Sequence, residues 1–492
     1  MLFTSFGFIL FLLALSAIYS AAPQKARWAV LLAGSFVFYA FSGFYCLVYI
    51  SAVTALTYFF ARGVGGLLER GRKPRAALPL ALCVFIVSGL LLTLKLSAAF
   101  SSPISLLFPM GISFYALKTI GYVTDVYRGT CKAEKNIFKY ALFVSFFPQL
   151  VQGPISRFKD ISPSLFEGRP FEFERTASAL WRIIWGFFKK LVVADRLMPA
   201  VRALSAEPEI YTGIYFAVLM LFYMITLFAD FTGGIDIALG VSELFGVETA
   251  ENFDRPYLAA SISEFWRRWH ITMGTWFRDY VFYPLSASRF MGGITKKLSR
   301  SFSPRTVSSI NVSAVTLLVW FLTGLWHGAK SGYIVWGLLN GLIIVATLNL
   351  KPRYAAFHKR WGLNKKSWYK AFCVVRTFLL MSCIQVFDCF SEASTTFRMF
   401  ASLFAPPAIA GSFFETLTSL GPAASDYIVV ALACALFAIA GFSGKTGEVR
   451  KKLSAKSPVF SAFAAMLLLL FVIVFGSYGI GYDSSQFIYN GF

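Results

Sequence analysis

Two of the three histidines in this chain lie in or beside long apolar segments. His270 ends the run Phe265–His270, and His327 follows an apolar stretch and lies between two Gly residues. Histidine is the side chain whose ordinary pKa is nearest neutrality, so it can accept a proton and return it during a reaction. An ionisable group at membrane depth is costly, which makes each of these residues a candidate for function. Their type and setting predict acid–base chemistry inside an apolar protein.

The elements that must position these histidines are membrane helices. Of the 492 residues, 57% are hydrophobic and 14% are charged, whereas roughly a quarter of the residues in soluble domains are charged. Apolar runs of about 17–22 residues recur along the chain, and each can cross the ~30 Å hydrocarbon core of a bilayer. The sequence therefore predicts an all-α polytopic membrane protein with about 11–13 transmembrane helices, plus short re-entrant or interfacial helices around a central tunnel or cavity.

The charge distribution excludes a nucleic-acid-binding protein in spite of a net charge of +22. Basic residues collect in short loops between apolar runs, including Arg62–Arg75, Lys296–Arg305 and Lys445–Lys456. Cytoplasmic loops that face anionic lipid headgroups have this pattern, so the expected partner is the lipid bilayer and not a nucleic acid. The seven cysteines show no metal-ligand spacing, and we predict neither disulfides nor a metal site.

The apolar runs also predict the order of elements along the chain. Helices are expected to start near residues 3, 28, 46, 76, 104, 137, 211, 308, 332, 372, 426 and 459. We divide the chain into N-terminal transmembrane helices in residues 1–100, a catalytic core in residues 101–350 and C-terminal transmembrane helices in residues 351–492. The core contains both histidines and irregular helices.

Charged residues interrupt the apolar runs of the core. Lys189, Lys190, Asp230 and Asp236 all fall in otherwise apolar segments. Charged or irregular segments at membrane depth are tolerated where they are buried in protein or line a wet cavity. We therefore expect short, tilted or re-entrant helices that wall a cavity. We also expect the two aspartates to form ion pairs inside the bundle.

The segment Glu264–Asp279 contains His270 and three arginines, each of which would cost ~2.5–3.5 kcal/mol at the bilayer centre, so it is not an ordinary span. Its large residues recur at three- and four-residue steps and would share one helical face. They are Trp266, Trp269, His270, Met273 and Phe277. We predict a single amphipathic helix, either buried against the bundle or lying at the interface with a belt of Trp and Arg.

His327 follows the apolar run Val307–Trp326, which would cover ~30 Å as a helix. The basic loop before this run is expected in the cytoplasm, which places His327 toward the extracytoplasmic side. Gly324 and Gly328 lack side chains, and this would let a substrate approach the imidazole closely. A histidine that is hydrogen-bonded at a helix end is the structural alternative.

Short motifs follow one another in a fixed order along the chain. They are Phe108–Tyr115, Asp125–Gly129, Phe147–Ile155, Asp230–Gly240, Glu251–Tyr257, Phe265–Thr272 with Trp276–Tyr280, Gly324–Gly328 and Trp336–Gly341. In this order they resemble the membrane-bound O-acyltransferase family, in particular its bacterial branch of alginate O-acetylation and teichoic-acid D-alanylation. The resemblance covers residues 1–350 and an aromatic C-terminal segment, Gln486–Tyr489.

The resemblance implies roles for the two histidines. His327 would be the catalytic residue at the end of a tunnel through the membrane, and His270 a second essential residue facing the same chamber. Family members move an acyl group from a cytoplasmic thioester donor to a hydroxyl on a carbohydrate, lipid or protein. Such a transfer needs a base for the hydroxyl proton and donors for the oxyanion. His327 suits the base, and His270 either orients the substrate or donates to the oxyanion.

Further residues are candidates for substrate binding, namely Trp326, Asn340, Trp269, Arg267, Arg268 and Arg278. Asn340 follows His327 across a short turn and can reach back into the same cavity. Guanidinium groups suit the phosphates of coenzyme A or of a carrier's phosphopantetheine arm. Pairing of these arginines with Asp279, Glu264 or lipid headgroups is the alternative.

We therefore predict a multi-pass O-acyltransferase of the bacterial cytoplasmic membrane, with acetyl as the expected group. Acetyl-CoA or an acyl carrier's phosphopantetheine thioester would be a cosubstrate, with no permanently bound cofactor. The acceptor would be a hydroxyl of an exported cell-envelope polysaccharide or of a partner protein, and an extracytoplasmic acyltransferase is an expected partner. The alternatives are D-alanyl transfer from a carrier protein to teichoic acid, and a transporter or flippase of a lipid-linked intermediate.

Overall fold

A computed structural model describes residues 2–99, 108–409, 411–444 and 458–478. Within these ranges all regular secondary structure is helical. Seven of the described helices are long and apolar enough to cross a membrane, and Phe6–Ala21 and Val459–Phe475 are shorter apolar helices. The prediction of an all-α polytopic membrane protein is confirmed. The basic cluster Lys445–Lys456 and the aromatic segment Gln486–Tyr489 lie outside the described residues.

The helices are labelled in chain order. They are α1 (Phe6–Ala21), α2 (Arg27–Ala40), α3 (Phe44–Glu69), α4 (Lys73–Ala99), α5 (Ile112–Arg128), α6 (Ile137–Ser145), α7 (Phe158–Glu167), α8 (Phe173–Phe187), α9 (Asp195–Ala206), α10 (Ile214–Leu244), α11 (Ile262–Arg268), α12 (Ile271–Phe277), α13 (Tyr283–Ser286), α14 (Arg289–Leu298), α15 (Pro304–His327), α16 (Ser331–Trp361), α17 (Ser367–Cys389), α18 (Ala393–Ser402), α19 (Phe413–Ser419), α20 (Ala424–Ser443) and α21 (Pro458–Phe475). The predicted helix starts lie within a few residues of these starts, except the one near residue 104, which falls outside the described residues.

The core contains the short helices that its interrupted apolar runs predict. Helix α6 has nine residues, which span roughly 14 Å at 1.5 Å per residue, so it cannot cross a bilayer. Segments of π-helix extend α8 at Phe188–Ala194 and follow α12 at Arg278–Phe282. The tunnel around which such helices were expected stays a prediction.

The chain divides into two compact units, each built from separate stretches of sequence. The first unit contains the described residues of Met1–Arg196, Thr226–Glu251 and Ser425–Phe492, and the second contains those of Leu197–Ile225 and Asn252–Ala424. Helix α10 contributes residues to both. Both candidate histidines belong to the second unit. The division into residues 1–100, 101–350 and 351–492 stays a prediction.

The first unit buries several charged residues as ion pairs. Lys190 Nζ lies 2.6 Å from a carboxylate oxygen of Asp230. Asp236 accepts from Lys189 Nζ at 2.5 Å and from Arg182 Nε at 2.9 Å. The two neighbouring lysines of the π-helical segment therefore reach two carboxylates of one helix, α10. The prediction that Asp230 and Asp236 form ion pairs inside the bundle is confirmed.

The second unit contains a helical hairpin, α15 and α16, that carries His327. Helix α15 begins at Pro304, where the side chain of Ser303 accepts from the Thr306 N–H at 3.3 Å, as an N-cap does. The two helices approach closely, because a Cβ at Gly337 would lie 2.5 Å from the carbonyl oxygen of Trp320. Small residues allow such contact between membrane helices. The hairpin thereby fixes the end of α15, where His327 lies.

The segment Glu264–Asp279 is not the single amphipathic helix that its spacing predicts. Helix α11 ends at Arg268, Trp269 is extended, and His270 has a left-handed backbone with φ of 46°. Helix α12 starts only at Ile271. Backbone hydrogen bonds explain the break, because the Ile271 N–H donates to the carbonyl oxygen of Asn252 at 3.0 Å. Asn252, which lies outside the segment, therefore accepts the first N–H groups of α12. Helical periodicity within the segment cannot predict this contact.

Candidate active site

His327 is the last residue of α15, and aromatic rings surround its imidazole. It is 4% exposed. The ring centroid of Trp336 lies 4.6 Å from the imidazole centroid, and that of Trp326 lies 5.0 Å away, perpendicular to it. Tyr333 stacks at 6.5 Å with an angle of 23° between the planes. Two of these rings come from the first turns of α16, so the hairpin both places and encloses His327.

The two glycines beside His327 serve packing rather than substrate approach, which corrects the sequence-based expectation. A Cβ at Gly324 would lie 2.5 Å from the carbonyl oxygen of Tyr333. A Cβ at Gly328 would overlap the ring of Tyr333. The space that a missing side chain leaves is therefore filled by α16 in both cases. The physical reason is the close crossing of α15 and α16, which spacing along one helix does not reveal.

His270 is held at its Nδ1 atom by Asn252. The Asn252 Oδ1 atom accepts from the Thr272 N–H at 3.0 Å and from the Thr272 hydroxyl at 2.9 Å. Both amide atoms of Asn252 lie near His270 Nδ1, the Nδ2 at 3.2 Å and the Oδ1 at 3.4 Å. Because the Oδ1 already accepts two hydrogen bonds and the Nδ2 is closer, we assign the NH2 group as the donor to Nδ1. Nδ1 is then an acceptor, and the ring proton resides on Nε2. His270 is accordingly a hydrogen-bond donor through Nε2.

The neutral state of His270 follows from its burial. The residue is 0% exposed. In the sequence it falls between α10 and α15, so it is outside the seven candidate membrane spans. Burial lowers the pKa of His270 to about 3, because an apolar environment disfavours the charged imidazolium. The ring is therefore neutral at physiological pH and keeps a single proton.

The structure brings the two histidines to one indole. The His270 ring centroid lies 6.2 Å from the Trp326 centroid, and His327 contacts the same indole. His270 directly precedes α12, and Trp326 and His327 end α15. Both helices belong to the second compact unit. Two imidazoles beside one tryptophan can supply one hydrogen-bond acceptor and one hydrogen-bond donor to a reacting group.

Asn340 orients other side chains of the site. It is 0% exposed, its Oδ1 accepts from the Trp266 indole N–H at 2.9 Å, and its NH2 group donates to the Trp336 carbonyl at 2.9 Å. The indoles of Trp266 and Trp336 lie 5.6 Å apart, and Trp320 completes the cluster at 4.6 Å from Trp266. A direct role of Asn340 in substrate binding stays a prediction.

Trp269 and Trp326 occupy different settings, although each precedes a histidine. The Trp326 ring centroid lies 5.0 Å from that of His327 and 6.2 Å from that of His270. Trp269 is 2% exposed and stacks on Phe265 at 5.4 Å and on Tyr257 at 6.1 Å. Trp269 thus belongs to an aromatic stack that supports the break before α12. Its role as a substrate contact stays a prediction.

The three arginines differ in exposure, and two of them form ion pairs with neighbouring carboxylates. Arg268 pairs with Glu264 at 2.5 Å, and Arg278 pairs with Asp279 at 2.8 Å, as the alternative reading of the sequence expected. Arg267 is exposed. Their binding of donor phosphates stays a prediction. Among the residues that the structure describes, no group of three or more His, Cys, Asp or Glu side chains is arranged to hold a metal ion.

Sequence reasoning missed three polar residues of the site. Asn252 lies in the motif Glu251–Tyr257, and its polarity within that motif was the available signal. Gln385 accepts from the Trp336 indole N–H at 2.6 Å, and Asp388 accepts from the Tyr223 hydroxyl at 2.9 Å. Both are polar residues within the apolar run of α17, and a polar residue in an apolar run is the signal that also singled out Asp230 and Asp236.

Comparison with known proteins agrees with this architecture. The model of the membrane-bound O-acyltransferase family (MBOAT) matches residues 132–389, which include both histidines and Asn340. The chain is 34% identical over 358 residues to the probable alginate O-acetylase AlgI of Pseudomonas fluorescens, covering 72% of this chain and 68% of that protein. It is 32% identical over 422 residues to AlgI of Pseudomonas aeruginosa, covering 82% and 75%. It is 29% identical over 306 residues to the teichoic acid D-alanyltransferase of Streptococcus thermophilus, covering 60% and 71%.

The helical membrane fold and the match to the family model define a multi-pass membrane acyltransferase. The chain belongs to the membrane-bound O-acyltransferase family. It is an O-acyltransferase, and the prediction of this family and of an enzyme is confirmed.

Proposed function

We propose that this enzyme transfers an acetyl group from a cytoplasmic thioester donor to a hydroxyl of an exported cell-envelope polysaccharide. The observation that carries the proposal is the placement of His270 and His327 against Trp326, inside the range that the family model matches. Similarity to two probable alginate O-acetylases over most of the chain supports acetyl as the group and polysaccharide as the acceptor.

His327 acts as the general base in this proposal. It removes the proton of the acceptor hydroxyl while the hydroxyl oxygen attacks the thioester carbonyl, and it returns the proton to the leaving thiolate. The C–O bond forms and the C–S bond breaks, so no further reactant is needed. General base catalysis of this kind contributes typically 10²–10⁴-fold.

His270 donates to the oxyanion. Its proton resides on Nε2 because Asn252 occupies Nδ1 as a donor. Since burial keeps the ring neutral, its N–H can stabilise the negative charge that develops on the carbonyl oxygen without altering the charge of the site. The structure thereby favours the donor role over the purely orienting role that the sequence left open.

The donor and the partners belong to the same proposal. Acetyl-CoA or an acyl carrier's phosphopantetheine thioester acts as a cosubstrate, and Arg267, Arg268 and Arg278 are the candidate phosphate contacts. The acceptor is a glycan or an extracytoplasmic acyltransferase that passes the acetyl group to a glycan. Since the similar proteins are bacterial, we place the enzyme in a bacterial cytoplasmic membrane.

The test measures alkali-labile acetate and D-alanine on envelope glycans of cells that carry the wild type, His327→Ala or His358→Ala. His358 is the matched control, because it is the third histidine and its Nε2 hydrogen-bonds to the Tyr369 hydroxyl at 2.8 Å at the end of α16. We expect His327→Ala to abolish ester-linked acetate and His358→Ala to retain it, at equal protein levels.

Two results would redirect the proposal. Loss of D-alanine in place of acetate would assign the activity of the teichoic acid D-alanyltransferases, to which the chain is also similar. Full acetylation with His327→Ala would remove His327 from the reaction.

A further inference from the structure

Helix α17 presents two polar residues, Gln385 and Asp388, one turn apart. Residues three positions apart share one face of a helix. Each of them holds an aromatic side chain of α16, and those two aromatic residues, Trp336 and Tyr333, are also three positions apart. Two matched pairs therefore connect the helices.

The first pair is Gln385 and Trp336. The Trp336 indole N–H donates to Gln385 Oε1 at 2.6 Å, and both residues are buried, with 3% exposure for Trp336 and 2% for Gln385. Rotating the indole away would leave a buried polar group without a hydrogen bond, which costs free energy. This contact therefore fixes the rotation of the indole. The same indole packs 4.6 Å from the His327 imidazole.

The second pair is Asp388 and Tyr333. The carboxylate of Asp388 is hydrogen-bonded by the Tyr333 side chain and by the Tyr223 side chain of α10. Two donors on one carboxylate hold both phenol rings in place. The Tyr333 ring stacks on His327, whereas Tyr223 joins the cluster through the carboxylate.

We propose that Gln385 and Asp388 are positioning residues for His327. They fix the Trp336 and Tyr333 rings that enclose the imidazole, and so set the direction of its ring nitrogens. Only the consequence for turnover rests on the proposed function, since the orientation itself is a property of the fold. Displacing a reacting group by about 1 Å can reduce a rate by up to about 10²-fold, so a small rotation of His327 is sufficient to matter.

The decisive experiment observes the histidine ring nitrogens directly. The full chain is purified with ¹⁵N-labelled histidine and placed in lipid nanodiscs. With three histidines, the ring signals are assigned by His327→Gln and His358→Gln. Tyr333→Phe and Tyr223→Phe form the matched pair, because each removes one hydroxyl from the same carboxylate. Gln385→Leu and Asp388→Ala test the two polar residues themselves.

We expect Tyr333→Phe, Asp388→Ala and Gln385→Leu to shift or broaden the His327 signals while those of His358 stay unchanged. Tyr223→Phe should produce the smaller change of the two phenol variants. In turnover with radiolabelled acetyl-CoA, the first three variants should lower kcat by about 10-fold or more while KM for the donor stays constant. A merely structural defect would instead reduce the amount of folded protein.

Unchanged His327 signals in both Tyr333→Phe and Gln385→Leu would overturn the positioning role. These two variants are expected to fold even if Asp388→Ala does not. Equal shifts in Tyr333→Phe and Tyr223→Phe would overturn the part of the proposal in which Asp388 acts through the stacked Tyr333 ring, because the effect would then follow the carboxylate alone. Shifted signals with undiminished acyl transfer would support the positioning contacts and contradict His327 as the base, so the two proposals fail separately.

Discussion

The two compact units bury polar groups in opposite ways. In the first unit, Lys190 Nζ lies 2.6 Å from carboxylate oxygens of both Asp195 and Asp230, and all three side chains have 0% exposure. In the second unit, the side chains bonded to His270 and to the indoles beside the histidines are neutral amides, and the Asp388 carboxylate reaches this cluster only through the hydroxyls of Tyr333 and Tyr223. His270 is bonded to the Asn252 amide, and the Asn340 amide is bonded to an indole.

This difference separates structural from chemical use of buried polarity. A charge in an apolar interior is stable only when it is paired and hydrogen-bonded. The charges of Lys190, Asp195 and Asp230 meet this requirement, because the lysine forms an ion pair with each carboxylate. The His270 imidazole is held instead by the neutral Asn252 amide, and burial keeps the ring neutral. We therefore expect the buried polar groups of the first unit to hold helices together, and those of the second unit to take part in the proposed reaction.

Removing Lys190 gives the largest expected effect and tests the structural half of this comparison. Lys190→Met leaves two buried carboxylates without their shared cation, which is expected to destabilise the fold by about 3–5 kcal/mol. We expect little monodisperse protein by size-exclusion chromatography and a much lower Tm for what remains. Adding Asp195→Asn and Asp230→Asn should restore much of the stability.

The control for this variant is an exposed ion pair. Arg398 and Glu209 form a contact of 2.9 Å, with side chains that are 65% and 76% exposed. Arg398→Met should leave Tm nearly unchanged, because exposed pairs contribute less than about 1 kcal/mol. A wild-type Tm for Lys190→Met would contradict the structural role of the buried cluster.

Replacing His270 tests the chemical half, with a large loss of rate and a small loss of stability. Asn is the replacement of choice, because it tolerates the left-handed backbone at this position. Loss of the oxyanion donor should reduce kcat by about 10²–10³-fold. The Tm should fall far less than in Lys190→Met. Acetyl transfer and Tm are measured on the same preparation, with His358→Asn as the control, and a collapse of Tm with His270→Asn would place His270 among the structural groups.

Replacing Asn252 by Asp keeps the cap at the start of α12 but changes which ring nitrogen of His270 carries the proton. The carboxylate still accepts from Thr272, but it offers His270 Nδ1 an acceptor in place of a donor. The ring proton then moves to Nδ1, and Nε2 loses its ability to donate. A nearby carboxylate also raises the pKa of His270 above its wild-type value.

The expected result for Asn252→Asp is a pH dependence that the wild type lacks at this residue. At high pH the variant should approach the activity of His270→Asn. As pH falls, His270 becomes doubly protonated and Nε2 donates again, so the ratio of variant to wild-type rate should rise. The ratio is measured between pH 5 and 9, and a constant ratio would show that the Nε2 proton does not depend on Asn252.

The sequence predicted what repeats along the chain or stands out in composition. Apolar run lengths located the helices within a few residues, because a bilayer sets the length of a span directly. Charged residues in apolar runs predicted the ion pairs of Asp230 and Asp236, since such charges need partners. The ordered motifs predicted the family, and the family model matches a range that includes both histidines. The roles of the candidate site residues stay predictions.

What the sequence did not predict depends on contacts between distant segments. Helical spacing favoured one helix over Glu264–Asp279, but Asn252 caps a new helix at Ile271 and breaks it. Gly324 and Gly328 suggested access to His327, but α16 fills the space. In each case a partner outside the local segment decides the structure, and local periodicity contains no information about it.

The smallest expected effect is that of replacing Arg278. This residue belongs neither to the buried ion pairs of the first unit nor to the neutral groups around the histidines. Its side chain is 53% exposed and pairs with Asp279 at 2.8 Å, so it is neither locked in the interior nor part of the neutral site. If it contacts donor phosphates, Arg278→Ala should raise KM for acetyl-CoA by about 2- to 5-fold and leave kcat and Tm unchanged, since exposed charge contacts are worth less than about 1 kcal/mol. Arg289→Ala, at the exposed start of α14, is the matched control. An equal rise of KM in both variants would indicate a general electrostatic attraction, and a fall in kcat with Arg278→Ala would move this residue into the chemistry beside His270.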